Sequence, residues 1–217
     1  MTESKEQGEY KELEKLYDLF DAEEFTIVIK EAARFADSEF FEISTGASRI
    51  MALSYFRQKM FKEAVPFFEK VAAVSEDSND YFDIVISSTL SCDIEKGKEA
   101  FKKAIALELD KAPKERPATP FMRFYYACSL RDIGEFQLAF EQIEKLKPVY
   151  EHLQITDTHY VFTSGAPDFS DVMRVAFDVF KAFGNNFDSA TWLDEFSKYL
   201  DSEGQHYIEE MKTKLVG

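Results

Sequence analysis

The sequence predicts an all-α solenoid, a row of antiparallel helix pairs closed by a C-terminal capping helix. Three observations carry that expectation. One small residue follows another at an interval of twelve across a break, as Ala52 and Ala64, Ser88 and Ala100, and Ala127 and Ala139. Helix pairs that recur in this way cannot bury their apolar faces alone and must stack on their neighbours. Only 8 Gly and 6 Pro punctuate 217 residues, too few for the tight turns of a many-stranded sheet. Apolar residues reach 45% of the chain, with 22 Phe, enough to build a substantial core and exclude global disorder.

A first pair is expected over about 10–37. After a polar tail, Leu13, Leu16, Tyr17 and Phe20 recur at helical spacing, Asp21 to Glu24 makes a turn, and Phe25, Val28, Ile29, Ala32 and Phe35 line the second helix. Ser44-Thr45-Gly46 reads as a break that starts a second pair, about 46–76, with Gln58 and Lys59 in its bend. Ser78-Asn79-Asp80 reads as the cap of a third pair, about 80–109, which turns near Asp93. Pro113, Pro117 and Pro120 then interrupt any helix and read as an extended connection. This insertion fits the repeat offsets of 36, 36 and 39 from Phe25 to Phe61, Gly97 and Phe136.

A fourth pair, about 120–147, is expected to end at Pro148, with a short helical piece at Val149 to His152. The stretch 154–169 has no period, and irregular segments of that length are often functional. A fifth pair, about 170–200, opens at Ser170, turns at Gly184 to Asn186 and is capped again by Asp188 before Ala190, Leu193, Phe196 and Leu200. The last helix, about 203–215, alternates charge around Tyr207, Ile208 and Met211, as suits a solvent-facing end cap.

With 26 basic against 41 acidic residues the formal net charge is −15. No Lys/Arg cluster stands clear of acidic neighbours, so nucleic acid is excluded as an expected partner. The acidic excess reads as a solvated, self-repelling surface, or as attraction to a basic partner. Cys92 and Cys128 are the only cysteines, which is neither a disulfide scaffold nor a zinc-site pattern and fits a reducing compartment. The N-terminal residues hold no apolar signal-peptide core, and no apolar run approaches the ~18 residues that span a bilayer. The expectation is a soluble cytoplasmic protein with no membrane span.

The second and fourth pairs resemble the tetratricopeptide repeat (TPR) family. Met51, Ala52, Tyr55, Phe61, Ala64 and Phe68 fall on its pattern, as do Tyr126, Ala127, Leu130, Gly134, Phe136, Ala139 and Ile143; Ser48 stands where the family has Trp and Glu76 where it has the closing Pro. The third pair keeps Ser88 and Ala100 without the aromatics. The first and last depart further, with Leu16 and Val28, and Asp178 and Ala190, at the packing positions. The resemblance implies a right-handed α-α superhelix whose first helices line a concave groove. On that register the partner-binding residues are Arg49, Leu53, Phe56 and Arg57, then Phe82, Val85 and Thr89, then Phe121, Phe124, Cys128 and Arg131. An apolar groove with basic edges suits an amphipathic or acidic peptide. Leu53, Ile86, Phe121 and Tyr125 occupy the positions from which some family members clamp a terminal carboxylate, so that clamp is absent.

Catalytic patterns are weak. Glu203-Gly204-Gln205-His206 has the spacing of a carboxylate-bridged iron site but no second copy, His152 and His159 bracket Asp157 without helical ligand spacing, and no nucleophile motif or phosphate loop occurs. The expected function is therefore a non-catalytic protein-interaction scaffold that needs no cofactor or metal and binds a protein or peptide partner. Two alternatives are a small acidic secretion or assembly chaperone, and a helical enzyme or regulatory small-molecule domain with Tyr160, Phe162 and Phe169 around its site.

Overall fold

The structure, a computed structural model, describes residues 2–111, 119–151, 165–184 and 187–216. Among the described residues all regular structure is helical. The chain divides into two compact units, Met1–Leu107 and Glu108–Gly217.

Unit 1 holds three hairpins: α1 (Thr2–Asp21) with α2 (Phe25–Ala32), α3 (Phe41–Arg57) with α4 (Phe61–Ser75), and α5 (Ser78–Leu90) with α6 (Ile94–Asp110), the last counted as far as Leu107. The expected polar tail is helical from Thr2, since its Glu, Lys and Gln residues favour a helix without leaving an apolar period to read. Its Lys5 ammonium reaches Glu39 at 2.7 Å. The second pair starts earlier than expected, and Gly46 lies inside α3 instead of breaking it. A Cβ at Gly46 would sit 2.8 Å from Leu13 Cδ2, so a side chain here would have to turn Leu13 aside. The third pair is capped by Asp77, whose carboxylate accepts the Asn79 N–H at 2.8 Å.

Every hairpin of unit 1 turns in the same way. Glu23, Lys59 and Cys92 adopt left-handed φ values of 62°, 60° and 65°. In the first turn the Glu23 N–H donates to the Phe20 carbonyl and the Glu24 N–H to that of Leu19, both at 2.9 Å; the same two bonds recur from Lys59 and Met60 and from Cys92 and Asp93. This double closure of a helix C-terminus is the Schellman motif, a site that favours glycine because a Cβ is disfavoured at positive φ. The first hairpin of unit 2 uses the motif with a glycine, Gly134 at φ 84°.

The turns also set the repeat register. Seven residues before and five after each left-handed residue stand Leu16 and Val28, Ala52 and Ala64, Val85 and Gly97, and Ala127 and Ala139, all buried. In the third hairpin the pair at the helix contact is thus Val85 and Gly97, not Ser88 and Ala100, and the turn-to-turn offsets are 36, 33 and 42 from Glu23 to Lys59, Cys92 and Gly134. Both candidate pairs keep the twelve-residue interval, which is why spacing alone selected the wrong one. The larger Val85 is matched by the absent side chain of Gly97, whose added Cβ would lie 2.6 Å from Thr89 Oγ1.

Unit 2 holds α7 (Thr119–Asp132) and α8 (Phe136–Glu144), the single turn α9 (Lys147–Tyr150), then α10 (Phe169–Phe183), α11 (Ser189–Ser197) and α12 (Ser202–Val216). Pro148 sits in the first turn of α9, where its missing N–H costs nothing. The Tyr150 hydroxyl, fully buried, donates to the Pro167 carbonyl at 2.7 Å. Around Phe140, the rings of Phe180, Phe183, Phe187 and Trp192 lie 5.0–6.1 Å away, edge-to-face or tilted as ring quadrupoles prefer. In the fifth pair Ala190 is exposed and Trp192, Leu193 and Phe196 take over the packing. Asp178 is half-buried beside the Arg131 guanidinium at 3.2 Å, the partner its position requires. On α12, Ile208 and Met211 are buried and the intervening charged residues face solvent. Pro113 and Pro117, His152, Asp157, His159, Tyr160 and Phe162 lie outside the described residues.

Candidate interaction face

In unit 1, α1 packs on α3, and a side-chain bridge joins α3 to α5. Leu13 and the Tyr17 hydroxyl of α1 lie against Gly46 of α3, and Arg49 of α3 reaches Asp80 of α5 with both guanidinium nitrogens, Nη2 to Oδ2 at 2.9 Å. Asp80 is 3% exposed, and its fork-to-fork pairing supplies the cation that a buried carboxylate needs. Six residues before each turn stand Tyr17, Leu53 and Ile86. Tyr17 is exposed and the other two half-buried, so this register position carries an apolar row that the hairpins leave in partial contact with water.

One turn beyond Asp80, the Asp83 carboxyl is half-buried, and no donor lies within hydrogen-bonding distance of it among the described residues. Burial and the neighbouring Asp80 carboxylate push its pKa up to about 7, against the opposing pull of Arg49. Burial likewise raises the Tyr17 phenol, with Arg49 acting against it. Tyr17, Arg49, Asp80 and Asp83 thus form one electrostatic group drawn from three helices.

The residues expected to line a groove fall into three sets. Arg49, Leu53 and Phe82 lie half-buried on the first helices of unit 1, while Val85 and Thr89 are fully buried against α6. Phe56 packs edge-to-face on Phe61 at 5.3 Å, inside its own hairpin. Arg57, at the turn end of α3, lies 5.9 Å over the Phe25 ring and 3.8 Å from Glu23. In unit 2, Phe121 and Cys128 are half-buried and Phe124 is buried; burial pushes the Cys128 thiol up to about 11. Arg131 is engaged by Asp132 at 2.7 Å and by Asp178. All three expected basic edges, Arg49, Arg57 and Arg131, therefore face acidic partners within the chain.

Sequence reasoning passed over Asp80 and Asp83 as a pair. Their signal was present: two acids three apart in Asp80-Tyr81-Phe82-Asp83, on a helix otherwise rich in apolar and small hydroxyl residues. His206, the other candidate ligand, is exposed beside Glu210 at 3.4 Å. Among the described residues no group of three or more His, Cys, Asp or Glu side chains is placed to hold a metal ion, and no helix is long and apolar enough to cross a membrane. In unit 2 a cleft of about 210 Å³ opens between α10 and α12, floored by Met173, Phe177 and Met211. Its rim cations are opposed within the chain, Arg174 by Asp171 and Lys214 by Glu210.

Comparison of the chain with family models, with curated proteins and with solved structures finds no significant match. The likeness to tetratricopeptide repeats therefore rests on the residues themselves.

Proposed function

We propose that the chain is a non-catalytic interaction scaffold of tetratricopeptide-repeat type, in which the face shared by α1, α3 and α5 receives a peptide or helix of a partner protein. The observation that carries this reading is the row Tyr17, Leu53 and Ile86, at one register position in three successive hairpins and left partly exposed. Buried core elsewhere in each hairpin is filled by Leu16, Val28, Ala52, Ala64 and Val85, apart from the row. Partly exposed apolar side chains repeated on successive helices suit the anchor positions of a bound segment.

A random twelve-residue peptide library displayed on phage tests the reading. Enrichment on the wild type, lost on Leu53→Glu and on Phe82→Glu when both variants keep their helical circular dichroism, supports it. Equal enrichment on both folded variants, or none on the wild type, overturns it.

A further inference from the structure

The proposed face carries a carboxyl whose ionised form its own chain supports only weakly. Arg49 spends both terminal nitrogens on Asp80, and the Asp83 carboxyl one turn along α5 receives no hydrogen bond among the described residues. The charged and titratable groups about it are Asp80 on its own helix and Arg49 on α3, which in turn interacts with Tyr17 of α1. A carboxylate placed this way is costly while unpaired, and it discriminates strongly in favour of a ligand that supplies the missing cation. Phe82 on the same helix, with Leu53 and Ile86 on the apolar row, gives such a ligand apolar neighbours to lie on. Arg49, which would draw the expected acidic peptide, already pairs with Asp80.

Resting on the scaffold reading, we propose that the segment docked on α1, α3 and α5 is a basic one: an apolar stretch of a partner protein bearing a lysine or arginine whose cation seats on the Asp83 carboxylate. The bound cation gives Asp83 the partner that Arg49 gives Asp80. A net charge of −15 on the whole chain speeds the approach of such a partner at low salt. Because free Asp83 holds its proton up to about pH 7, docking of a cation at pH 6 expels that proton.

The same phage library supplies the probe. Wild-type selection is expected to enrich peptides with one lysine or arginine among apolar residues. A synthetic peptide of that consensus binds Asp83→Asn roughly tenfold more weakly than wild type, as loss of a charge-assisted contact implies. Replacing the peptide's basic residue by norleucine weakens wild-type binding equally and Asp83→Asn binding no further. Calorimetry at pH 6 in buffers of different ionisation enthalpy reads proton release with wild type and none with Asp83→Asn. Enriched peptides that lack a basic residue, or that bind both proteins alike, overturn this inference while leaving the scaffold reading intact if Leu53→Glu abolishes them. Failure to enrich any peptide overturns both.

Discussion

Gly97 offers the sharpest test of the packing. In an ordinary helix interior, replacing glycine by alanine stabilises by about 1 kcal/mol, since it removes backbone freedom from the unfolded chain. At Gly97 the new Cβ would lie 2.6 Å from Thr89 Oγ1 and 3.5 Å from the Val85 carbonyl oxygen. Ordinary contact begins near ~3.5 Å, so only Thr89 is violated, by close to an ångström. Thr89 is fully buried, and turning its β-branched side chain brings a methyl group to the same space. Overpacking of this kind costs about 1–3 kcal/mol, which outweighs the helix gain. Gly97→Ala is therefore expected to lower stability by about 1 kcal/mol in wild type. In a Thr89→Ala background the obstruction is gone and the same substitution should raise stability by about 1 kcal/mol. Urea denaturation followed by far-UV circular dichroism on the four proteins of the cycle measures both values, and the intrinsic cost of Thr89→Ala cancels. An effect of one sign and size in both backgrounds refutes the proposed contact between α5 and α6.

The shared turns make a second prediction: Lys59→Gly and Cys92→Gly each raise stability by about 0.5–1 kcal/mol by relieving a left-handed side chain, while Gly134→Ala lowers it by about 1–2 kcal/mol. Thermal melts of the three variants check the opposed signs. Arg49→Met strands the buried Asp80 carboxylate and is expected to cost roughly 2–3 kcal/mol, less than for a fully buried pair because Arg49 is partly exposed; an unchanged urea midpoint would dismiss the bridge as a stabilising element. Asp83 has its folded pKa raised, so the native state keeps a proton that the unfolded chain releases, and wild-type stability falls between roughly pH 4 and about 7. Asp83→Asn removes that loss: it should match wild type near pH 4 and exceed it at pH 8 by up to about 4 kcal/mol, and equal offsets at both pH values would contradict the assignment.

Much of the helical framework was legible. The turns at Asp21 to Glu24 and at Gln58-Lys59 lie where the apolar periods of flanking helices fall out of phase, and Ala52, Ala64, Ala127 and Ala139 mark close crossings because few other residues fit there. The misread positions share a cause. Gly46 looks like a stop in one dimension, and only the approach of Leu13 shows it to be a clearance inside α3. Ser88 and Ala100 satisfy the same interval as Val85 and Gly97, and the choice is made by backbone hydrogen bonds at Cys92 and Asp93 that no side-chain pattern reports. The candidate face was legible as apolar positions such as Leu53 and Phe82, but its charges were not: Arg49 and Asp80 are 31 residues apart, and their pairing depends on how two hairpins stack.

Trp192 gives the molecule a built-in spectroscopic reporter. It is the one tryptophan of the chain and lies in the second unit, its indole N–H bound to Glu144 and its ring under the Lys147 ammonium at 4.8 Å. Indole emission therefore watches residues 108–217 alone, whereas ellipticity averages over every helix. Coincident curves from the two signals mean that both units melt together; an emission change that runs ahead or behind means that each half carries its own cooperativity.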